Sequence, residues 1–411
     1  MRFLKTIAKQ IGVLFGVPVI WILWLLRKKF RVRVMESHHQ LFGHLSLEPE
    51  KYLSARDTKM GLYEVDFAGE KDWKNIKDRD HITLESTTLD LWTFGRKKDQ
   101  SNTQLVNLWK RQLNWAPSFL VGVLLRANKL ISKNVISEYR FSTLVSVDRY
   151  LDKSDKHLSF TERELRECWK NFEGLGLSRD IPYVCLVVRN QSRSDHALRN
   201  RAIGDFECAI SELATRGIAV VRMGSHNTAP LLVEHPLVCD YANSGKRNEL
   251  LDLFLLAHCK FAISTLSGPD ATCLAFRKDV LYIDIANYAL CFSGTKLTTW
   301  TPAIIVDTKT SERISLRQSF DSGVGWFWRD SQFEEGGYEI LRSTPMEIRD
   351  YLIDMLQWVD NEKDQVLRDT QSQYRSKMTE AMGDLGEKWH GEIRSRISEP
   401  FLTKNAEWFL A

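Results

Sequence analysis

Two apolar runs in this chain end in arginine. In "YVCLVVRNQ" Arg189 closes the run that begins at Val184, and in "IAVVRMGS" Arg222 follows Ile218 to Val221. A guanidinium is always charged and offers paired N–H donors. Two of them at the ends of buried strands point to a cleft that receives an anion. The segment "FAISTLSGPDATCLAF" supplies a complement. Its loop from Ser264 to Ser267 leads into a helix start at Gly268, where free backbone N–H groups and the helix dipole favour negative charge. The alternative is that Arg189 and Arg222 are absorbed by ion pairs with Asp205, Asp240 or Asp252. Asp240 itself either bonds a ribose or base or caps a turn. His44, directly after Gly43, is a candidate general base, and Glu50 is equally open to that role.

Several other chemistries lack their residues. There is no G-x-x-x-x-G-K-[ST] or G-x-S-x-G motif, and no His/Cys metal spacing. "GLGLSRD" lacks the third glycine of a dinucleotide fingerprint and follows a charged helix rather than a strand. The 7 cysteines form no C-x-x-C pair, which suits reduced core thiols better than a disulfide frame. With 57 basic and 53 acidic residues the net charge is +4, too small for a protein that coats nucleic acid. Neither a cofactor, a metal nor a nucleic-acid partner is expected.

The elements that must position these residues are clearest after Tyr183. "YVCLVV", "IAVV", "FAIS" and "VLYID" read as strands covered on both faces, and they alternate with helices through short connections. That alternation predicts a parallel, doubly wound α/β sheet, whose ligands lie beyond the carboxyl ends of the strands. Arg189, Arg222 and the Ser264–Ser267 loop fall on that edge. Earlier, a loop at Gly43-His44 is expected before a helix that begins near Pro49. "NTQLVNLWKRQL" is helical, and "FLVGVLLRANKLI" is too short and too interrupted for a membrane span. After residue 330, Thr344, Pro345 and Glu347 form a capping box that opens a run of charged helices.

Residues Ile11 to Leu26 carry no polar side chain, and basic residues flank both ends. A helix over this run reaches roughly 24 Å, short of a ~30 Å hydrocarbon core, and Pro18 kinks it. The two tryptophans and the basic flanks favour a segment attached at a membrane interface. Whether it spans is left open.

"LRNRAIGDFECAISELATRGIAVVRMG", "DYANSGKRNELLDLFLLAHCKFAISTLSG" and "FGHLSLEPEKYL", together with "YVCLVVRNQ", resemble a family of bacterial glycosyltransferases found with surface-polysaccharide biosynthesis genes. The family is GT-B-like and distantly similar in style to O-fucosyltransferases. The resemblance covers roughly residues 38 to 360. It implies two Rossmann-like domains with a cleft between them. It also implies a donor site drawn from Arg189, Arg199, Asn200, Arg222, Gly224, Ser267 and Gly268, with Gly43-His44 on the acceptor side. Leu41 stands where a polar residue is expected. The resulting expectation is an α/β fold in four parts. Residues 1–33 form a membrane-associating segment, 34–180 an acceptor-side domain, 181–330 a nucleotide-sugar domain and 331–411 C-terminal helices. His44 and Arg222 are expected to carry catalysis. Arg189, Arg199, Asn200, Gly224, Asp240, Ser264, Ser267 and Gly268 are expected to bind substrate. The function expected is metal-independent sugar transfer from a nucleotide sugar to a saccharide or lipid-linked saccharide, on the cytoplasmic face of the inner membrane. The rival is a non-catalytic scaffold that binds nucleotide or glycan.

Overall fold

A computed structural model describes residues 2–29, 31–58, 62–67, 76–82, 88–131, 135–140, 148–189, 194–224, 229–361 and 369–411. The first unit contains α1 (Arg2–Leu26), β1 (Arg31–Glu36), α2 (Phe42–Asp57), the β2 (Leu62–Phe67) and β3 (Ile76–Ile82) hairpin, and β4 (Thr88–Thr93). It continues with α3 (Thr103–Lys110), α4 (Ser118–Ile131), β5 (Ile136–Arg140) and α5 (Glu162–Glu173). Strands β4, β1 and β5 form a three-stranded parallel sheet in that order. Alternation along β1 divides its partners. Val32 and Val34 join Val13 and Ile20 of α1 and Val121 and Ala127 of α4, whereas Met35 packs with Leu45 and Leu53 of α2. The N-terminal helix is thus built into this unit rather than tethered to it.

The second unit begins with β6 (Tyr183–Val187), α6 (Glu207–Thr215), β7 (Ala219–Arg222), β8 (Val238–Cys239), α7 (Glu249–His258), β9 (Ala262–Ser264), α8 (Gly268–Ala275), β10 (Val280–Ile285) and β11 (Thr298–Pro302). There follow the β12 (Ile304–Asp307) and β13 (Tyr338–Leu341) pair, with α9 (Leu316–Asp321) and α10 (Asp330–Gly336) between them. The chain closes with α11 (Pro345–Asp360), α12 (Asp369–His390), β14 (Arg396–Ile397) and α13 (Glu399–Phe409). Seven strands make one parallel sheet in the order β14-β11-β10-β9-β6-β7-β8. Every residue of β6 and β10 is buried, as an apolar run covered on both faces requires, and the one charge among them, Asp284 in β10, is paired with Arg201. Helix α6 packs with α11, and α11 with α13, while α7 and α8 meet α2, α3 and α5 of the first unit.

Three expectations change at this level. Residues after 330 are part of the second unit, because β14 adds to its sheet and Ile348, Leu352 and Phe401 lie in its core. The first unit is smaller than a full Rossmann domain, with three parallel strands among the described residues. Finally, α2 begins at Phe42, not near Pro49, so Gly43 and His44 sit in a helical first turn. Pro49 is tolerated mid-helix for a specific reason. It cannot donate to the carbonyl of Leu45, and the indole Nε1 of Trp109 does so instead at 2.8 Å.

Candidate active site

The large sheet has one topological switch point. The chain enters at β6, steps outward through β7 to β8, then returns to the other side of β6 as β9. The loops after β6 and β9 therefore diverge in opposite directions and leave a crevice at the carboxyl edge. Arg189 follows β6, and its N–H donates to Thr265 Oγ1 at 3.0 Å across that crevice. Leu266 takes a left-handed conformation (φ 61°) that turns the chain sharply from β9 into α8. Arg199 Nη1 donates to the Leu266 carbonyl at 3.3 Å. A small hollow lined by Arg199, Leu266, Asn287 and Trp328 opens beside them.

Two expected ligand groups here are already committed. Asp270, buried within α8, accepts from Ser264 Oγ at 2.6 Å and from the Ser267 amide at 2.5 Å. Burial pushes its carboxyl up to about 6, against the lowering effect of those bonds and of nearby Arg199. Ser264 and Ser267 thus serve the turn itself. Arg222 is engaged more fully still. It is 4% exposed, donates to the Ala229 carbonyl at 2.5 Å and pairs with Asp240 at 3.3 Å. Asp240 also accepts from the Leu231 amide at 3.2 Å and from Asn243 Nδ2 at 2.9 Å. Arg222 and Asp240 thus engage each other and the backbone of residues 229–231. Gly224 turns the chain just after β7 with φ 152°. Asn200 accepts at its carbonyl from Arg342. Its neighbour Arg201 is fully engaged by Asp284, Asp205 and the Ser343 carbonyl, which ties this loop to the end of β10 and the start of α11.

The first unit contributes the other wall. Glu48, 1% exposed, accepts three N–H groups: the His38 amide at 3.1 Å, His38 Nδ1 at 2.6 Å and His44 Nδ1 at 2.9 Å. Burial alone raises its carboxyl, but the two imidazoles outweigh burial and hold it below its usual range. A carboxylate only accepts, so each Nδ1 bears a proton, which in a neutral imidazole leaves Nε2 as the acceptor. This is a histidine oriented by a carboxylate, the arrangement a general base needs. Sequence reading missed Glu48, although His44-x-x-x-Glu48 puts both on one helix face. The same trio is the described group able to hold a metal, its ligand atoms lying within 4.8 Å of one another. Glu50 is placed elsewhere: wholly buried, it pairs with Arg277 at 2.7 Å and His157 at 3.0 Å.

Helix packing brings the two walls together. A Cβ on Gly43 would lie 3.1 Å from the Gly268 Cα, and one on Gly268 would lie 3.2 Å from the Gly43 nitrogen. Further along, Ser46 Oγ meets Thr272 Oγ1 at 2.7 Å, and Arg277 reaches Glu50 and Ser54. These contacts advance in step, so α2 and α8 run parallel with their N-termini side by side. Each helix leaves the carboxyl edge of its strand, and the positive ends of both dipoles converge beside His44. Gly43-His44 and Ser267-Gly268, more than two hundred residues apart in sequence, are therefore neighbours across one seam.

The chain matches no known family profile and no curated protein. Among solved structures it is similar to the ADP-heptose lipopolysaccharide heptosyltransferase II of E. coli, at 11% identity over 62% of this chain and 84% of that one, with a TM-score of 0.35. It is also similar to the dodecameric iron-containing heptosyltransferase TibC, at 14% identity over 64% of this chain and 59% of that one, with a TM-score of 0.30. Likeness this loose assigns neither a family nor an activity.

Proposed function

We propose that this protein is a glycosyltransferase that moves a sugar from a nucleotide-sugar donor to a saccharide acceptor in surface-polysaccharide biosynthesis. The observation that carries the reading is the juxtaposition of a carboxylate-oriented histidine with the switch-point crevice, across the Gly43–Gly268 seam. In this reading the donor's diphosphate lies at the crevice. Arg189, Arg199 and the converging helix ends offset the charge that grows as the diphosphate departs. His44 Nε2 takes the proton of the attacking acceptor hydroxyl, and Glu48 stabilises the imidazolium that forms. The new bond joins the acceptor oxygen to the anomeric carbon, and the nucleoside diphosphate leaves with the donor's bonding pair. Arg222, held by Asp240, has no part in this step.

The proposal is tested by incubating the protein with UDP, GDP, ADP, CMP and dTDP sugars and candidate saccharides, and measuring release of nucleotide. Acceptor-dependent release by the natural chain and not by His44→Ala supports it. Binding of one nucleotide without turnover would favour a second reading, a catalytically silent scaffold. That reading draws on the internal commitment of Ser264, Ser267 and Arg222, which takes up groups a donor would otherwise use.

A further inference from the structure

Helix α1 is apolar on opposite sides, and only one side is covered. Val13, Gly16 and Ile20 face α4, with Gly16 so close to Ala127 that a Cβ there would stand 3.0 Å from the alanine's own. Phe15, Val19, Ile22, Leu25 and Leu26 lie on the other side at helical spacing, and all are exposed, Phe15 by 76% and Leu25 by 68%. Helix α4 adds Phe119, Leu120 and Leu130 to the exposed set, the first 76% and the last 69% accessible. Exposed apolar side chains in this number on two helices packed together mark an interaction site.

The charges around it select the partner. Neither α1 nor α4 contains an acidic residue. Arg27, Lys28 and Lys29 directly follow α1, and Arg126 and Lys129 lie exposed along α4. Arg27 rests over the Trp24 ring at 4.2 Å and Lys110 over the Trp115 ring at 4.2 Å, so the aromatic and cationic groups meet at the border. Next to that border a cleft of about 370 Å³ is lined by Arg96, Lys97, Lys110, Trp115 and Phe119. Apolar side chains ringed by tryptophan and then by cations fit the layers of an anionic lipid leaflet. No helix among the described residues is long and apolar enough to cross a membrane, and α1 is fixed by its inner side to the protein.

We infer that α1 and α4 together form a two-helix platform that embeds in one leaflet of a bilayer bearing anionic headgroups, with the Lys97–Lys110 cleft at headgroup level. The inference goes beyond a lone N-terminal anchor because α4 supplies Phe119, Leu120 and Leu130 to the embedded surface. It is independent of the sugar-transfer reading, since none of these residues belongs to the seam.

The test is co-sedimentation of the full-length protein with phosphatidylcholine vesicles and with vesicles containing phosphatidylglycerol. The expected result is binding at least tenfold tighter to the anionic vesicles. It should weaken tenfold or more both in Phe15→Ser/Ile22→Ser/Leu25→Ser and in Phe119→Ser/Leu130→Ser, with melting temperatures unchanged because the altered side chains are exposed. Three outcomes would overturn the inference. The protein stays in solution with every vesicle, the α4 variant binds as the natural chain does, or the natural chain is a dimer that the substitutions split without any effect of lipid. Nucleotide release assayed on the detergent-solubilised variants keeps the two proposals separable, because the platform predicts no change there.

Discussion

Two buried charged residues play opposite parts at the residue scale, Glu48 in the chemistry and Arg222 in the fold. Glu48 orients His44, so His44→Ala is expected to lower turnover by about 10²- to 10⁴-fold while nucleotide binding persists, measured as kcat against a binding titration. Glu48→Gln faces three N–H donors with a side chain that itself donates, and loss of the buried charge-assisted bonds should cost about 1–3 kcal/mol of stability. Because the folded carboxyl is held below its usual range, its contribution is present above that range and is lost as pH falls through the folded value. The stability gap between Glu48→Gln and the natural chain should therefore narrow on acidification, as read by denaturant unfolding from pH 7 to pH 3. Arg222 behaves in the opposite manner. Its guanidinium closes the 229–240 loop. Arg222→Ala should accordingly lower the melting temperature and leave turnover per folded molecule largely intact.

Close parallel packing of α2 on α8 governs at the scale of elements. Backbone lies within 3.1–3.2 Å of where a Cβ at Gly43 or Gly268 would stand, so neither neighbour can rotate away. Gly268→Ala is expected to part the helices and cost about 1–3 kcal/mol, with a larger fall in activity than in folded fraction, read by unfolding and turnover on the same preparation. At the far end of α2, His157 bridges Glu50 and Asp57. Burial lowers its pKa, but the two carboxylates outweigh burial and raise it above the ordinary histidine value. Such a group stabilises fully below its unfolded pKa, about 6.5, and loses that contribution as pH rises through the folded value. The destabilisation caused by His157→Ala should thus be greatest below pH 6.5 and diminish in mild alkali.

Seen as a whole molecule, the second unit was legible in the sequence and the first was not, for physical reasons. Strands β6, β7 and β9 are covered on both faces and read as apolar runs with arginine or serine at or just beyond their ends, and β10 adds a fourth run with one charge, Asp284, near its end, so the carboxyl edge could be placed by inspection. Strands β1, β4 and β5 carry Arg33, Asp90 and Glu138 within them, and charge inside a short strand hides it. The Arg33–Asp90 pair at 2.6 Å, with Tyr52 donating to Asp90 at 2.7 Å, is what lets those charges enter the interior. Helix α2 was misread because proline at residue 49 signals a helix start, and only tertiary structure supplies the Trp109 donor that permits it mid-helix. Pairing within the site was hidden for a related reason. Arg222 and Asp240 lie on adjacent strand ends, and sequence cannot say whether neighbouring opposite charges face each other or a ligand.

In the proposed reaction a nucleotide diphosphate binds at the seam beside His44. A crystal structure with the nucleotide that most raises the melting temperature tests it most directly. The diphosphate should lie at the switch-point crevice, within hydrogen-bonding reach of Arg199 and Gly268, with the reacting sugar carbon next to His44 Nε2. A nucleotide seated in the Lys97–Lys110 cleft, or anywhere that leaves the β6–β9 crevice empty, would contradict it.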